Sequence, residues 1–374
     1  MMRVVIIPHG FQQHYALGFA NGLSARGMRV DFVSAVNVNT ALLHQDIQWR
    51  DLGVNTESRI GALKKAYRFV AYHLRLVGHV GARRGAVVHV IGLIRPSVMA
   101  VGLIEGLLFR ALAGKYVLTV HNLLPHDCHT TWNRWLFKLV YRIPHLLVVH
   151  TAKMKDDLVR SFGVRADRIV VMHHGLNDIV PDHGRTRGEC RAQLGLPLDA
   201  CVLLFFGRIR PYKGVETLLE SFREVVGNTF LVIAGAPAST SYGRRIEELV
   251  QQHPHRNRIL CHTKFIDDAD LSSYFRAADA LVMPYRHIDQ SGVLFLAFRF
   301  GLPVIAFDIG ALREYLKNDA GVLVQGGGAR DLADGIARFQ REALGFAPDR
   351  IREYTQRFRW ENVLEPLIVA YRAN

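Results

Sequence analysis

Residues Cys201 to Phe222, CVLLFFGRIRPYKGVETLLESF, leave few choices of fold. The apolar run Cys201–Phe206 is too short for a buried helix and stops at Gly207, which predicts a buried strand of a parallel sheet. Val215, Leu218, Leu219 and Phe222 then recur at the i, i+3, i+4, i+7 spacing of one buried helix face. Arg208, Arg210 and Lys213 lie between, at the carboxyl edge of a sheet and beside a helix N-terminus. Open α/β sheets bind ligands at that edge, and free N–H groups with the helix dipole favour an anion there. The residue types point to a diphosphate.

A second stretch has the same design. In Tyr285 to Phe307, YRHIDQSGVLFLAFRFGLPVIAF, the polar segment Asp289-Gln290-Ser291-Gly292 leads into a helix carrying Val293, Leu294, Leu296, Ala297 and Phe300. Gly301, Pro303 and a strand over Val304–Phe307 follow. Ser291 is placed as an N-cap, and the amides after it form a second helix N-terminus. Two such ends with two or three cations make a phosphate clamp.

GRIRPYKGVETLLESF followed by ADALVMPYRHIDQSGVLFLAFRFGLPVIAFDIGALREYL resembles the donor domain of family-4-like glycosyltransferases (glycosyl transferases group 1) of the GT-B fold. PHGFQQHY, SARGMRVDFVS and TVHNLLPHD extend the resemblance over the N-terminal half. It implies an α/β architecture of two Rossmann-like domains facing each other across a cleft. It further implies that Gly10 lets the chain approach the donor phosphates, and that His121 contacts the transferred sugar or its neighbourhood. Gly207, Arg208, Lys213, Gln290, Ser291, Gly292 and Val293 would hold the diphosphate. The loop His262–Asp267, with Phe265, would hold the nucleotide base through its backbone, and Glu314 would reach toward the nucleotide. The family usually carries two glutamates eight positions apart around the QSG helix; alignment on Gly301 and Pro303 puts Ile288 and Leu296 there. The resemblance is therefore to the subset lacking that pair.

Composition bounds the class. A chain of 374 residues with 49% hydrophobic content is long enough for two domains, each with a core. Cys128, Cys190, Cys201 and Cys261 form no C-x-x-C and no paired His/Cys spacing, which points to a reducing compartment without structural zinc. The opening MMRVVIIPHG is too short an apolar run for a signal sequence, and Val87–Leu112 is broken by Arg95, Pro96, Glu105 and Arg110. A cytoplasmic chain is the expectation. Residues 1–180 hold 22 Lys+Arg against 10 Asp+Glu, whereas residues 181–374 are nearly balanced at 25 against 23. A surplus of that kind calls for an anionic partner, a membrane surface or a nucleic acid.

Strands over Val4–Ile7, Met28–Ser34, Val87–Ile91, Tyr116–His121, Leu146–His150 and Arg168–Met172 alternate with helices, giving a first parallel sheet. His121 stands at a strand's carboxyl end, and His126 and Asp127 follow in HNLLPHD, Asp127 being the nearby carboxylate able to act as a base. Ile60, Leu63, Tyr67, Val70, Leu74 and Val77 form an apolar stripe on a helix otherwise crowded by Arg59, Lys64, Lys65, Arg68, Arg75, Arg83 and Arg84. Such a helix buries its stripe in its own domain, lies on anionic lipid, or does both, packed inward with its rim touching lipid. HHGLNDIVPDHGRTR reads as an interdomain linker. The expected partition is 1–174 for acceptor binding, 175–188 as linker, 189–357 for the nucleotide sugar, and 358–374 as a helix returning to the first domain.

The expectation is a metal-independent hexosyltransferase moving sugar from a nucleotide-diphosphate sugar to a saccharide or lipid-linked saccharide in bacterial envelope or exopolysaccharide synthesis. Arg208 and Lys213 would neutralise the leaving diphosphate, with His121 and Asp127 as further catalytic candidates and no cofactor beyond the donor substrate. The nearest string to a D-x-D triplet of the metal-dependent type, Asp267-Asp268-Ala269-Asp270, reads as a helix-start cluster. A GT-B sugar-nucleotide epimerase is the alternative enzyme. A basic nucleic-acid-binding protein is the alternative of another class, disfavoured because the cations match no recognised module. Peripheral attachment to an anionic inner membrane face follows from the basic half.

Overall fold

The computed structural model describes residues 1–9, 13–34, 38–52, 61–92, 99–124, 130–316 and 320–373, with positions 62, 63, 65, 99, 100 and 344 described by backbone alone. They form two compact units, Met1–Gly175 with Phe358–Asn374, and Leu176–Arg357. Among the described residues no helix is long and apolar enough to cross a membrane.

The first unit alternates strands and helices: β1 (Arg3–Ile7), α1 (Gln13–Ala25), β2 (Arg29–Ser34), β3 (Gln48–Asp51), α2 (Ala62–Gly81), β4 (Val87–Val90), α3 (Met99–Leu112), β5 (Lys115–Thr119), α4 (Thr131–Arg142), β6 (Leu146–Val149), α5 (Ala152–Phe162) and β7 (Ile169–Val171). Its seven strands run parallel in the order β3-β2-β1-β4-β5-β6-β7, so the direction of winding reverses between β1 and β4. β1 and β4 are buried on both faces and read as apolar runs for that reason. β3 escapes the sequence pattern because Gln-Trp-Arg-Asp is an exposed edge strand with no apolar run.

Buried side chains of α2 to α5, among them Tyr72, Leu76, Phe109, Phe137, Tyr141 and Leu158, close one face of this sheet. In α2 the face turned inward is Tyr72, Leu76 and Val80, whereas Tyr67, Val70 and Leu74 of the predicted stripe are exposed. Arg83, read from sequence as part of the basic face, is instead turned onto the fully buried Asp31.

The second unit runs α6 (Arg187–Leu194), β8 (Cys201–Phe206), α7 (Val215–Phe222), β9 (Thr229–Ala234), α8 (Thr240–Gln251), β10 (Ile259–His262), α9 (Asp268–Ala277), β11 (Ala280–Met283), α10 (Gly292–Arg299), β12 (Val304–Phe307), α11 (Leu312–Tyr315), β13 (Gly321–Val324), α12 (Ala329–Glu342) and α13 (Pro348–Thr355). Thr186 and Glu189 form a capping box that starts α6. The six parallel strands follow the order β10-β9-β8-β11-β12-β13. Here the reversal falls between β8 and β11. The loops leaving those two strands are therefore the ones that open a crevice.

The chain then returns to the first unit through α14 (Trp360–Val363) and α15 (Glu365–Arg372), separated because Pro366 supplies no N–H to continue one helix. Trp360 is buried against Gly18 and Gly22 of α1 and against Gly175, and a Cβ at any of the three would overlap the indole or the start of its side chain. Trp360→Ala should therefore lower the stability of this unit by about 3–5 kcal/mol, the cost of a large buried truncation whose cavity three glycines cannot fill. Guanidinium denaturation checks this, and a loss under about 1 kcal/mol would show that the segment stands outside the core.

Candidate anion-binding site

The two stretches singled out in the sequence leave the two strands that flank the reversal. Gly207 follows β8 with φ +105°, and Ile209 bridges to Pro237, which leaves Arg208 exposed and without an ion pair among the described residues. Pro211–Lys213 makes one tight turn, and Gly214, at φ +69°, brings the chain so close to the Pro284 carbonyl that a Cβ would overlap it. Any residue but glycine is excluded there. The turn folds Lys213 inward.

Lys213 is 8% exposed. Its ammonium donates to the Tyr285 hydroxyl at 3.1 Å and lies 4.8 Å from the centre of that ring. A Cβ on Gly207 would stand 3.2 Å from Lys213 Nζ and 3.3 Å from Val293 Cγ2, so Gly207, Lys213 and the first turn of α10 converge. Burial pulls the ammonium down to about 8, with Arg210 adding to the fall and Tyr212 opposing it. Among the described residues no carboxylate pairs with it.

Ser291 occupies the N-cap position of α10 in extended conformation, but its side chain does not cap the helix as the sequence suggested. The hydroxyl is turned to Tyr285 instead, so one phenol links the cation of the first stretch to the serine of the second. Gln290, Gly292 and Val293 are partly exposed around this point. Ile288 and Leu296 are both buried and apolar, and Leu296 belongs to the core face of α10. Glu314 is partly exposed in the single turn α11, after β12.

Next to Pro237, which bridges to Ile209, a cavity of about 430 Å³ is lined by the start of α8 with Arg244 and Glu247, and by Thr263. It adjoins the loop His262–Asp267, where Phe265 is 72% exposed. A larger cavity of about 930 Å³ lies at the opposite, amino edge of this sheet, against Cys201, Thr229 and Asp279. Its guanidiniums are already held, Arg187 and Arg191 by Asp279, Arg276 by Asp182 and Arg352 by Asp349. The carboxyl edge, with one buried ammonium and one unpaired guanidinium, is the better anion site.

In the first unit His121 follows β5 and is buried, its Nδ1 3.1 Å from His150 Nε2. His150 Nδ1 donates to the Met172 carbonyl at 2.9 Å, and burial keeps both imidazoles neutral at pH 7. Tyr15 packs edge-on against His121, His150 and His174, making a histidine-rich core that no sequence spacing signals. Another group missed in the sequence follows β1. His9 has φ +47°, and Nε2 lies 3.5 Å from the buried carboxylate of Glu105, which His73 approaches from its other side at 3.5 Å. The sequence signal for His9 is its place just past the end of β1, as for His121 after β5; the left-handed backbone shows only in the fold. Gly10, His126 and Asp127 lie outside the described residues. Among the described residues no cluster of His, Cys, Asp or Glu is arranged to hold a metal ion.

Comparison with known proteins matches residues 186–358 to the family described as glycosyl transferases group 1 and residues 12–178 to glycosyltransferase family 4. The D-inositol 3-phosphate glycosyltransferase of Xylanimonas cellulosilytica is 30% identical over 239 residues, covering 60% of this chain and 56% of that protein. The chain spans about half the length of the curated relatives it matches. The crystal structure of Anabaena HepE in complex with UDP and glucose superposes over 100% of both chains, with a TM-score of 0.77 at 16% identity. Sucrose-phosphate synthase from Thermosynechococcus elongatus covers 100% of this chain and 98% of its own, with a TM-score of 0.76 at 20% identity.

The depressed Lys213 ammonium sets a pH signature. The charge is present below its folded value near 8 and is lost as pH rises through it. The ratio of wild-type to Lys213→Ala pyrophosphate affinity, which cancels the ligand's own ionisations, should thus be constant at lower pH and fall by up to about tenfold per unit above pH 8. Calorimetric titration of both proteins checks this; a ratio that does not change with pH would remove Lys213 from the site.

Proposed function

Since the chain belongs to the group 1 and family 4 glycosyltransferases and has their GT-B fold of two parallel α/β sheets, we propose that it transfers a sugar from a nucleotide-diphosphate sugar. The acceptor in this reading is a saccharide or lipid-linked saccharide of a bacterial envelope or exopolysaccharide pathway. The observation that carries it is the buried Lys213 ammonium, with no carboxylate partner among the described residues, beside Gly207 and the first turn of α10. A buried cation without a counterion is costly unless an anion comes to it.

The diphosphate sits between the 207–214 turn and residues 290–293, with Arg208 at its exposed side. The nucleoside extends to the cavity of about 430 Å³ between α8 and the loop that carries Phe265. When the bond between the anomeric carbon and the diphosphate breaks, negative charge grows on the leaving oxygen. Lys213 and Arg208 stabilise it there without moving a proton. This chemistry asks for no cofactor, and the reading assigns the neutralisation to these two side chains and not to a metal ion. The reading also takes Glu314 and Gln290 as contacts to the nucleotide sugar and His121 as a contact to the transferred sugar.

Arg208→Ala and Lys213→Ala should each raise the barrier of transfer by about 2–4 kcal/mol, the range for loss of one preorganised charge partner, with unchanged thermal stability for Arg208→Ala. Turnover of radiolabelled UDP-hexoses, in buffer with and without EDTA, measures both points. Both variants staying within about twofold of wild type would sink the diphosphate assignment, and turnover abolished by EDTA would hand the neutralising role to a metal.

A further inference from the structure

The outer surface of α2, α3 and α4 takes no part in the anion site and has a character of its own. The three helices pack on one face of the first sheet, α2 against α3, and α3 against the end of α4, where Arg110 donates to the Ile143 carbonyl at 2.6 Å. Their inner sides share a core. Their outer sides are apolar where a solvated helix is polar. On α2 these are Tyr67, Val70 and Leu74, and on α3 Ile104, Leu107 and Leu108. On α4 they are Trp132 and Trp135, which are 65% and 52% exposed and stack on each other at 5.2 Å. Of the 15 exposed large apolar side chains among the described residues, these three helices carry eight, so the patch is not a random scatter.

Charge identifies the occupant. The single acidic residue on the three helices is Glu105, and it is buried between His9 and His73. Lys64, Arg134, Lys138 and Arg142 are exposed around the apolar side chains, with no exposed carboxylate on any of the three to balance them. A second copy of this chain meeting this face about a two-fold axis would press cation against cation. A neutral apolar partner leaves the cations unused. A lipid surface satisfies both, taking indoles and aliphatic side chains at the headgroup boundary and pairing Lys and Arg with lipid phosphates.

We infer that this face seats the protein on an anionic bilayer, the apolar side chains of α2, α3 and α4 entering the headgroup layer inside a ring of Lys and Arg. The inference is independent of the donor site. It also goes beyond the basic stripe read from sequence, since attachment through inserted side chains leaves a component that salt does not remove.

Cosedimentation with phosphatidylcholine vesicles, and with mixed phosphatidylcholine–phosphatidylglycerol vesicles at low and high salt, tests it alongside the indole emission of the full chain. Wild type should bind the anionic vesicles at least about tenfold more tightly than the neutral ones and retain measurable binding at high salt. Its emission should shift to the blue. Trp132→Ala with Trp135→Ala, and separately Leu74→Gln with Leu107→Gln, should each weaken binding about tenfold and leave the melting temperature unchanged, since these side chains are exposed. Lys64→Gln with Arg134→Gln and Lys138→Gln should flatten the salt dependence. Absence of wild-type binding at low salt overturns the inference, as does binding indifferent to both apolar pairs. Apolar variants that turn an oligomer into a monomer in sedimentation velocity, with lipid binding unchanged, would assign the face to a second copy and overturn it as well.

Discussion

An ammonium held inside the second unit with no carboxylate partner among the described residues is the constraint around which its carboxyl edge is built. Lys213 reaches that position because Gly214 lets the turn after β8 press against the Pro284 carbonyl and Gly207 leaves room beside Nζ. The Tyr285 ring and hydroxyl supply the local compensation, and Ser291 holds the phenol from the other side. None of these is a counterion, so the charge remains available to a ligand. With the reversal between β8 and β11, the two loops that hold Lys213 and Ser291 leave adjacent strands.

Much of this was legible in the sequence. An apolar run ending at Gly207 and the helical spacing after Gly214 specify β8 and α7, because burial on both faces forces a parallel strand to be apolar throughout. The convergence of the 207–214 and 290–293 segments follows from strand order, which local pattern does not encode. The inward fold of Lys213 was equally hidden, since three cations in one loop look alike until the turn selects one. Ser291 shows the reverse error, a residue with the right type and position for a cap whose hydroxyl is claimed by a tyrosine six residues earlier.

The first unit shows where periodicity misleads. Along α2 the stripe of Tyr67, Val70 and Leu74 is a sound helical pattern, yet the sheet is covered by Tyr72, Leu76 and Val80. A helix with two apolar faces does not state which one the core takes. Nor does a strand such as Gln48–Asp51, paired on one side only and exposed, announce itself by hydrophobicity. The histidines that surround Tyr15 follow β5 and β6 and stand at the end of the first unit's main segment, and only the fold brings them together.

The central claim is that Lys213 keeps its charge for a diphosphate, and the direct test is the titration of its ammonium by NMR, free and with a saturating nucleoside diphosphate. The account predicts a value near 8 in the free protein, as burial demands, rising by more than about one unit when a dianion sits within contact distance. A value that stays where it was on saturation would place the diphosphate elsewhere and contradict the account.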